Sequence, residues 1–95
     1  MPAVTRVGDA DVVHCSGMVR AQGSGNVFVN NISVSRQGDL NTGHKLPGRR
    51  CPSHAAPITT GSPTVFVNNK GCGRVGDAIS GCTSVAAGSP NVFAN

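Results

Sequence analysis

A seventeen-residue phrase recurs along this 95-residue chain, and its last copy is divided between the two termini. Residues 61–77 read GSPTVFVNNKGCGRVGD and residues 23–39 read GSGNVFVNNISVSRQGD. Residues 88–95 read GSPNVFAN and stop, while residues 1–9, MPAVTRVGD, supply the missing half. Placed after Asn95, Met1 takes the position of Asn31 and Asn69 with no gap. Val4 then matches Val34 and Cys72, Arg6 matches Arg36 and Arg74, and Gly8-Asp9 matches Gly38-Asp39 and Gly76-Asp77. A chain built this way closes into a ring through its own ends. The expectation is one domain over residues 1–95, with repeat hairpins at about 23–39 and 61–77 and a third at 88–95 closed by 1–9, arranged with pseudo-threefold symmetry.

The residues inside the phrase point to strands. Segments 27–29, 65–67 and 92–94 are rich in Val and Phe, which favour extended backbone. Asn30-Asn31 and Asn68-Asn69 read as tight turns, because Asn tolerates left-handed angles. Segments 32–36, 70–75 and 2–7 read as the returning strands, and Gly-Asp ends each hairpin. With 13 Gly and 6 Pro, the chain is broken too often for long helices. The fold class is therefore all-β. An isolated hairpin is marginal in water, so the three must share a core. Val4, Val34 and Cys72 form one layer of it, and Cys72 reads as a small buried hydrophobe in a valine slot.

That core is thin. The chain has two Leu, no Trp and no Tyr, and its three Phe fall one per unit at Phe28, Phe66 and Phe93. A domain of this size and composition needs a metal, disulfides or a partner. The net charge of +4 permits contact with nucleic acid, but the bases are scattered and no aromatic platforms accompany them. No apolar run reaches the length of a membrane span, and no secretory leader is expected, since residues 1–9 lack a charged region followed by an apolar stretch. The expected place of assembly is the cytoplasm.

The connectors between units have 13, 21 and 10 residues, and they hold every His and three of the four Cys. Five residues past Asp9, Asp39 and Asp77 stand His14, His44 and Cys82. Three repeats thus place an imidazole, an imidazole and a thiol at one equivalent position, and these are zinc ligands. A structural zinc site takes four in a tetrahedron, so the fourth is expected from the longest connector, which holds Cys51 and His54. His54 is preferred because its distance back to the next Gly-Ser resembles that of the other ligands; Cys51 is the alternative. Cys15, adjacent to His14 and out of phase, reads as a non-ligand. A disulfide framework is the rival use of the cysteines, but it requires an oxidising compartment and leaves the histidine phase unexplained.

Catalysis finds little footing. Asp9, Asp39 and Asp77 read as turn residues capping backbone amides, and Asp11 is the only other acid. No carboxylate is left to act as a base beside a metal. Arg6, Arg36 and Arg74 are expected to hold a neighbouring unit's turn or Asp.

The triple GS-x-x-VFVNN…RxGD pattern, the His and Cys after each Gly-Asp, and the segment Cys51-Pro52-Ser53-His54 resemble the PAAR-repeat proteins. These are tips of type VI secretion spikes and contractile phage tails. The resemblance covers essentially the whole chain and implies a small conical or pyramidal tip of three hairpin units. It implies one structural Zn2+ near the apex, held by His14, His44, His54 and Cys82. It also implies a trimeric β-helical spike as partner, either a valine-glycine-repeat spike or a phage-tail equivalent, with one copy per trimer. A target cell membrane would be met transiently, with no nucleic acid and no enzymatic activity. The namesake Pro-Ala-Ala-Arg survives only in its Arg: the slots read Ala3-Val4-Thr5-Arg6, Ser33-Val34-Ser35-Arg36 and Gly71-Cys72-Gly73-Arg74. The competing reading is a zinc-stabilised adaptor or nucleic-acid-binding module.

Overall fold

A computed structural model of the chain describes residues 1–13, 17–43, 55–81 and 83–95. The fold is all-β, with no helix among the described residues. Strands β1 (Phe28–Val29) and β2 (Ile32–Ser33) pair antiparallel, with Phe28 opposite Ser33 and Val29 opposite Ile32. Strands β3 (Phe66–Val67) and β4 (Lys70–Gly71) repeat this, with Phe66 opposite Gly71 and Val67 opposite Lys70. The turn residues have φ of 55° and 64° at Asn30 and Asn31, and 53° and 66° at Asn68 and Asn69. Two successive positive φ values define the type I′ turn, whose twist suits a two-residue hairpin. The chain ends pair in the same sense. Ala3 bridges Phe93, the Val4 N–H donates to Val92 O at 3.0 Å, and the Ala94 N–H donates to Pro2 O at 3.0 Å.

The returning segments differ from simple hairpin strands. Each one also bridges the other units, Arg6 with Val34, Arg36 with Cys72 and Val4 with Arg74, while the Val34, Cys72 and Val4 N–H groups still donate within their own units, to Val27 O, Val65 O and Val92 O. The reason is burial, since so short a hairpin cannot cover Val34 or Cys72 by itself. At the centre this pairing closes on itself. The Thr5 N–H donates to Gly73 O (3.0 Å), the Gly73 N–H to Ser35 O (2.9 Å), and the Ser35 N–H to Thr5 O (3.0 Å). A Cβ added to Gly73 would sit 2.6 Å from Ser35 O and 2.9 Å from Thr5 Cγ2, so this cycle has room for two side chains but not three.

Val4, Val34 and Cys72 pack with Val67 and Ala94 into one buried cluster beside the cycle. The Gly-Ser pair that opens each unit is explained here. A Cβ on Gly88 would lie 2.6 Å from Val4 O, so only glycine lets the two backbones approach. The following serine then donates its N–H to the same strand: Ser24 to Val34 O, Ser62 to Cys72 O and Ser89 to Val4 O. Each serine hydroxyl also accepts the amides two and three residues on, a local turn that aims the chain into its hairpin.

Past each Gly-Asp the connector forms an arm that folds back on itself. Ala10 bridges Val19, Leu40 bridges Pro57 and Ala78 bridges Ser84. Neighbouring arms join through Arg20 with Asn41, Ile58 with Ile79 and Asp11 with Val85. Those six contacts close a ring of six segments, so none of them presents an unpaired edge. Asp11, Arg20, Asn41, Ile58, Ile79 and Val85 are all buried in this ring. It packs against the central cycle, for Ile58 Cδ1 reaches to 3.1 Å from where a Gly73 Cβ would stand.

Candidate metal-bearing arms and their supports

His14, His44, His54 and Cys82, together with Cys15 and Cys51, lie outside the described residues. The stems that carry them are described. The Asp11 N–H donates to Met18 O (3.1 Å), the Asn41 N–H to Ala56 O (3.1 Å), and the Ile79 N–H to Thr83 O (2.8 Å). Asp11, Asn41 and Ile79 each stand two residues past a Gly-Asp, so the three stems close at one equivalent level. His14, His44 and Cys82 each follow three residues beyond that level, and His54 precedes Ala56 by two.

Beneath the stems the ring is divided. Ile58, Ile79 and Val85 form an apolar cluster with Ala56. The opposite side holds an ion pair between Arg20 Nη2 and Asp11 Oδ2 at 2.9 Å, with both side chains fully buried. Asn41 Nδ2 donates to the same Asp11 oxygen at 3.2 Å, and Asn41 Oδ1 accepts the Ala56 N–H at 2.9 Å. Arg20 Nη1 reaches Asp39 O at 3.2 Å. Asp11 Oδ1 and Arg20 Nε, both buried, have no hydrogen-bond partner among the described residues. Sequence reasoning passed over this network, although the phase that singles out His14 and His44 also singles out Asp11 and Asn41.

The Gly-Asp turns are built as expected from the acids, and Arg6 and Arg36 hold a neighbouring unit's turn as expected, while the Asp that each Arg meets is its own unit's. Asp9, Asp39 and Asp77 each accept the backbone N–H of the Arg three residues earlier, at 2.8, 2.8 and 2.7 Å. Each Arg forks onto that same Asp of its own unit, rather than onto a neighbour's. A guanidinium three residues from a carboxylate on a tight turn meets it before any other acid. Hydrogen bonding to Asp9 and Asp39 raises the pKa of Arg6 and Arg36 above the ordinary value, so both stay charged. The neighbour is held through its turn instead. Arg6 Nη1 donates to Asn30 Oδ1 (3.1 Å) and Arg36 Nη1 to Asn68 Oδ1 (3.0 Å). The Ser89 and Ser24 hydroxyls reach the same two oxygens at 2.6 Å. The turn asparagines thus clasp one unit to the next as well as supplying the turn.

Four acids and four arginines pair in this way, so the surplus charge rests on Lys45, Arg49, Arg50 and Lys70. Of those, only Lys70 lies among the described residues.

The PAAR motif matches residues 48–95, half of the chain. This chain belongs to the PAAR-motif family. The motif marks spike-tip proteins of type VI secretion and other contractile injection systems, a structural and not an enzymatic family. A comparison with curated proteins gave no match. The connectors hold three His and three Cys, donor types that zinc accepts, and all six lie outside the described residues.

Proposed function

We propose that this protein caps a trimeric β-helical spike in a contractile injection machine, one copy per trimer, and forms its sharpened end for piercing a membrane. The observation that carries this reading is the distribution of exposed apolar residues. Phe28, Phe66 and Phe93 occupy the same position in the three units and are 56, 61 and 49 % exposed. Val27, Ile32, Val65 and Met1 lie exposed on the same hairpins. Large aromatics left in water once per unit are the mark of a surface meant to be covered. A partner with three identical chains would meet three similar hairpins.

His14, His44, His54 and Cys82 would hold one zinc, which supplies a cross-link among the arms where apolar side chains are few. The chain's own part is to bring the stems to one level. Backbone pairing does this at Asp11, Asn41 and Ile79 in all three arms. Assembly in the cytoplasm and carriage to the end of a phage tail or secretion spike follow from the same reading.

The test is co-purification with a trimeric spike, with mass measurement of the complex. One copy per trimer is expected, and Phe66→Asp should weaken the complex by at least about tenfold, as loss of a buried aromatic anchor does. A stoichiometry of three per trimer, or no complex with any contractile spike, would overturn the proposal. The zinc is read separately by metal analysis of the native protein, where one ion per chain is expected.

A further inference from the structure

The buried polar side of the arm ring adds side-chain contacts to stems that backbone pairing also joins. Asn41 stands on the rising half of the second arm and Ala56 on its returning half, with residues 44–54 between them. One carboxamide holds both, by accepting the Ala56 N–H at 2.9 Å and donating to Asp11 at 3.2 Å. Asp11 stands on the rising half of the first arm, and its ion pair with Arg20 ties in the returning half at 2.9 Å. Arg20 in turn donates to Asp39 O, at the foot of the second arm, at 3.2 Å. Three side chains therefore fix four stem segments, and these are the stems on either side of His14, His44 and His54. The third arm, which carries Cys82, is seated by apolar contacts of Ile79 and Val85 instead.

We propose that Asp11, Arg20 and Asn41 are positioning residues that set the relative placement of the histidine-bearing arms for metal binding. The proposal rests on the zinc reading above. Its physical basis is the directional character of the contacts. An apolar cluster such as Ile58, Ile79 and Val85 tolerates small sliding of one arm past another. A buried carboxylate fixed by a guanidinium and a carboxamide does not, because each displaced group would be left charged or polar without a partner. Residues that orient metal ligands from outside the coordination sphere behave in this way.

The experiment compares Asn41→Leu with Ile58→Val, one change in each side of the same ring, in the full chain. Zinc affinity is measured by competition with a chromophoric chelator, and ligand geometry by the visible spectrum of the cobalt(II)-substituted protein. Asn41→Leu should weaken zinc binding by about 10- to 100-fold and alter the cobalt bands, while Ile58→Val stays within about twofold of the parent with an unchanged spectrum. Equal losses in the two variants would show general loosening and overturn the proposal. Should Asn41→Leu fail to fold, the exchange variant Asp11→Asn with Asn41→Asp takes its place, since it keeps one carboxylate beside Arg20. Recovery of the parent cobalt spectrum relative to Asp11→Asn alone supports positioning, and no recovery refutes it. If the parent binds no zinc, the metal reading fails by itself. The coupling between arms is then read by amide exchange: Asn41→Leu must speed exchange at Asp11 and Val12 on the first arm, and an effect confined to residues 40–58 would sink the idea.

Discussion

Around Thr5, Ser35 and Gly73 the three units are close to interchangeable; around Asp11, Arg20, Asn41, Ile58, Ile79 and Val85 they are not. In the first region the backbone does the joining, through a cycle of three hydrogen bonds of 2.9 to 3.0 Å. The strands come so close that only small side chains fit, and the three central positions hold Thr5, Ser35 and Gly73. In the second region the arms also close by backbone pairing, but on a wider circuit of six segments. The interior of that wider ring must be filled by side chains, and it is filled in two unlike ways. The contrast teaches that one repeat can be held to a single solution where backbones touch and released from it where side chains do the filling.

The strongest way to break that contrast is to remove the charge at the polar side. Asp11→Ala leaves Arg20 buried without its carboxylate, and the loss expected from breaking such a pair is about 3–5 kcal/mol. Urea unfolding measures it. A loss under about 1 kcal/mol, the range of exposed pairs, would mean that water reaches Arg20 and that the polar side is not a sealed interior.

The next test acts on the narrow cycle. Gly73→Ala places a methyl against Ser35 O, Thr5 Cγ2 and Ile58 Cδ1, contacts of 2.6, 2.9 and 3.1 Å that the surroundings must relieve. Overpacking of this kind costs about 1–3 kcal/mol. Ser35→Ala at the equivalent position should cost nothing comparable, because the buried Ser35 hydroxyl has no hydrogen-bond partner among the described residues. Equal losses at the two positions, followed by thermal unfolding, would show that the cycle has no size limit at its centre.

These two regions were not equally legible in the amino-acid sequence. The repeat announced the turns at Asn30-Asn31 and Asn68-Asn69 and the capping role of Asp9, Asp39 and Asp77, because both follow from the residues' own backbone preferences. It marked Cys72 as an occupant of a valine slot. It did not reveal that the returning strands also pair with the other units, since that pairing depends on three units meeting at once. Nor did it reveal Arg20. An arginine in a variable connector reads as solvent-facing until its partner is known, and Asp11 lies on a different strand of the arm. The phase placed His14, His44 and Cys82 at one level of the sequence; of this placement the structure describes only the stems.

The smallest effect is expected at Cys72, where the uniform region departs from valine. Its side chain is buried against Val4 and Val34, so Cys72→Val should change stability by less than about 1.5 kcal/mol at neutral pH, as volume-conserving swaps do. The informative variable is alkaline pH. Burial pushes the Cys72 thiol above its ordinary value of 9.0, the Asp77 carboxylate pushes in the same direction, and Arg74 opposes them. The unfolded chain then ionises this thiol at a lower pH than the folded chain does. Its contribution to stability is fully present below the ordinary value and is lost as pH rises towards the folded one. The parent should therefore weaken relative to Cys72→Val as pH is raised past 9.0, while the other three cysteines, present in both, cancel in the difference. A difference that stays flat from neutral to alkaline pH would mean that water reaches the thiol, and that the narrow core around Val4 and Val34 opens in solution.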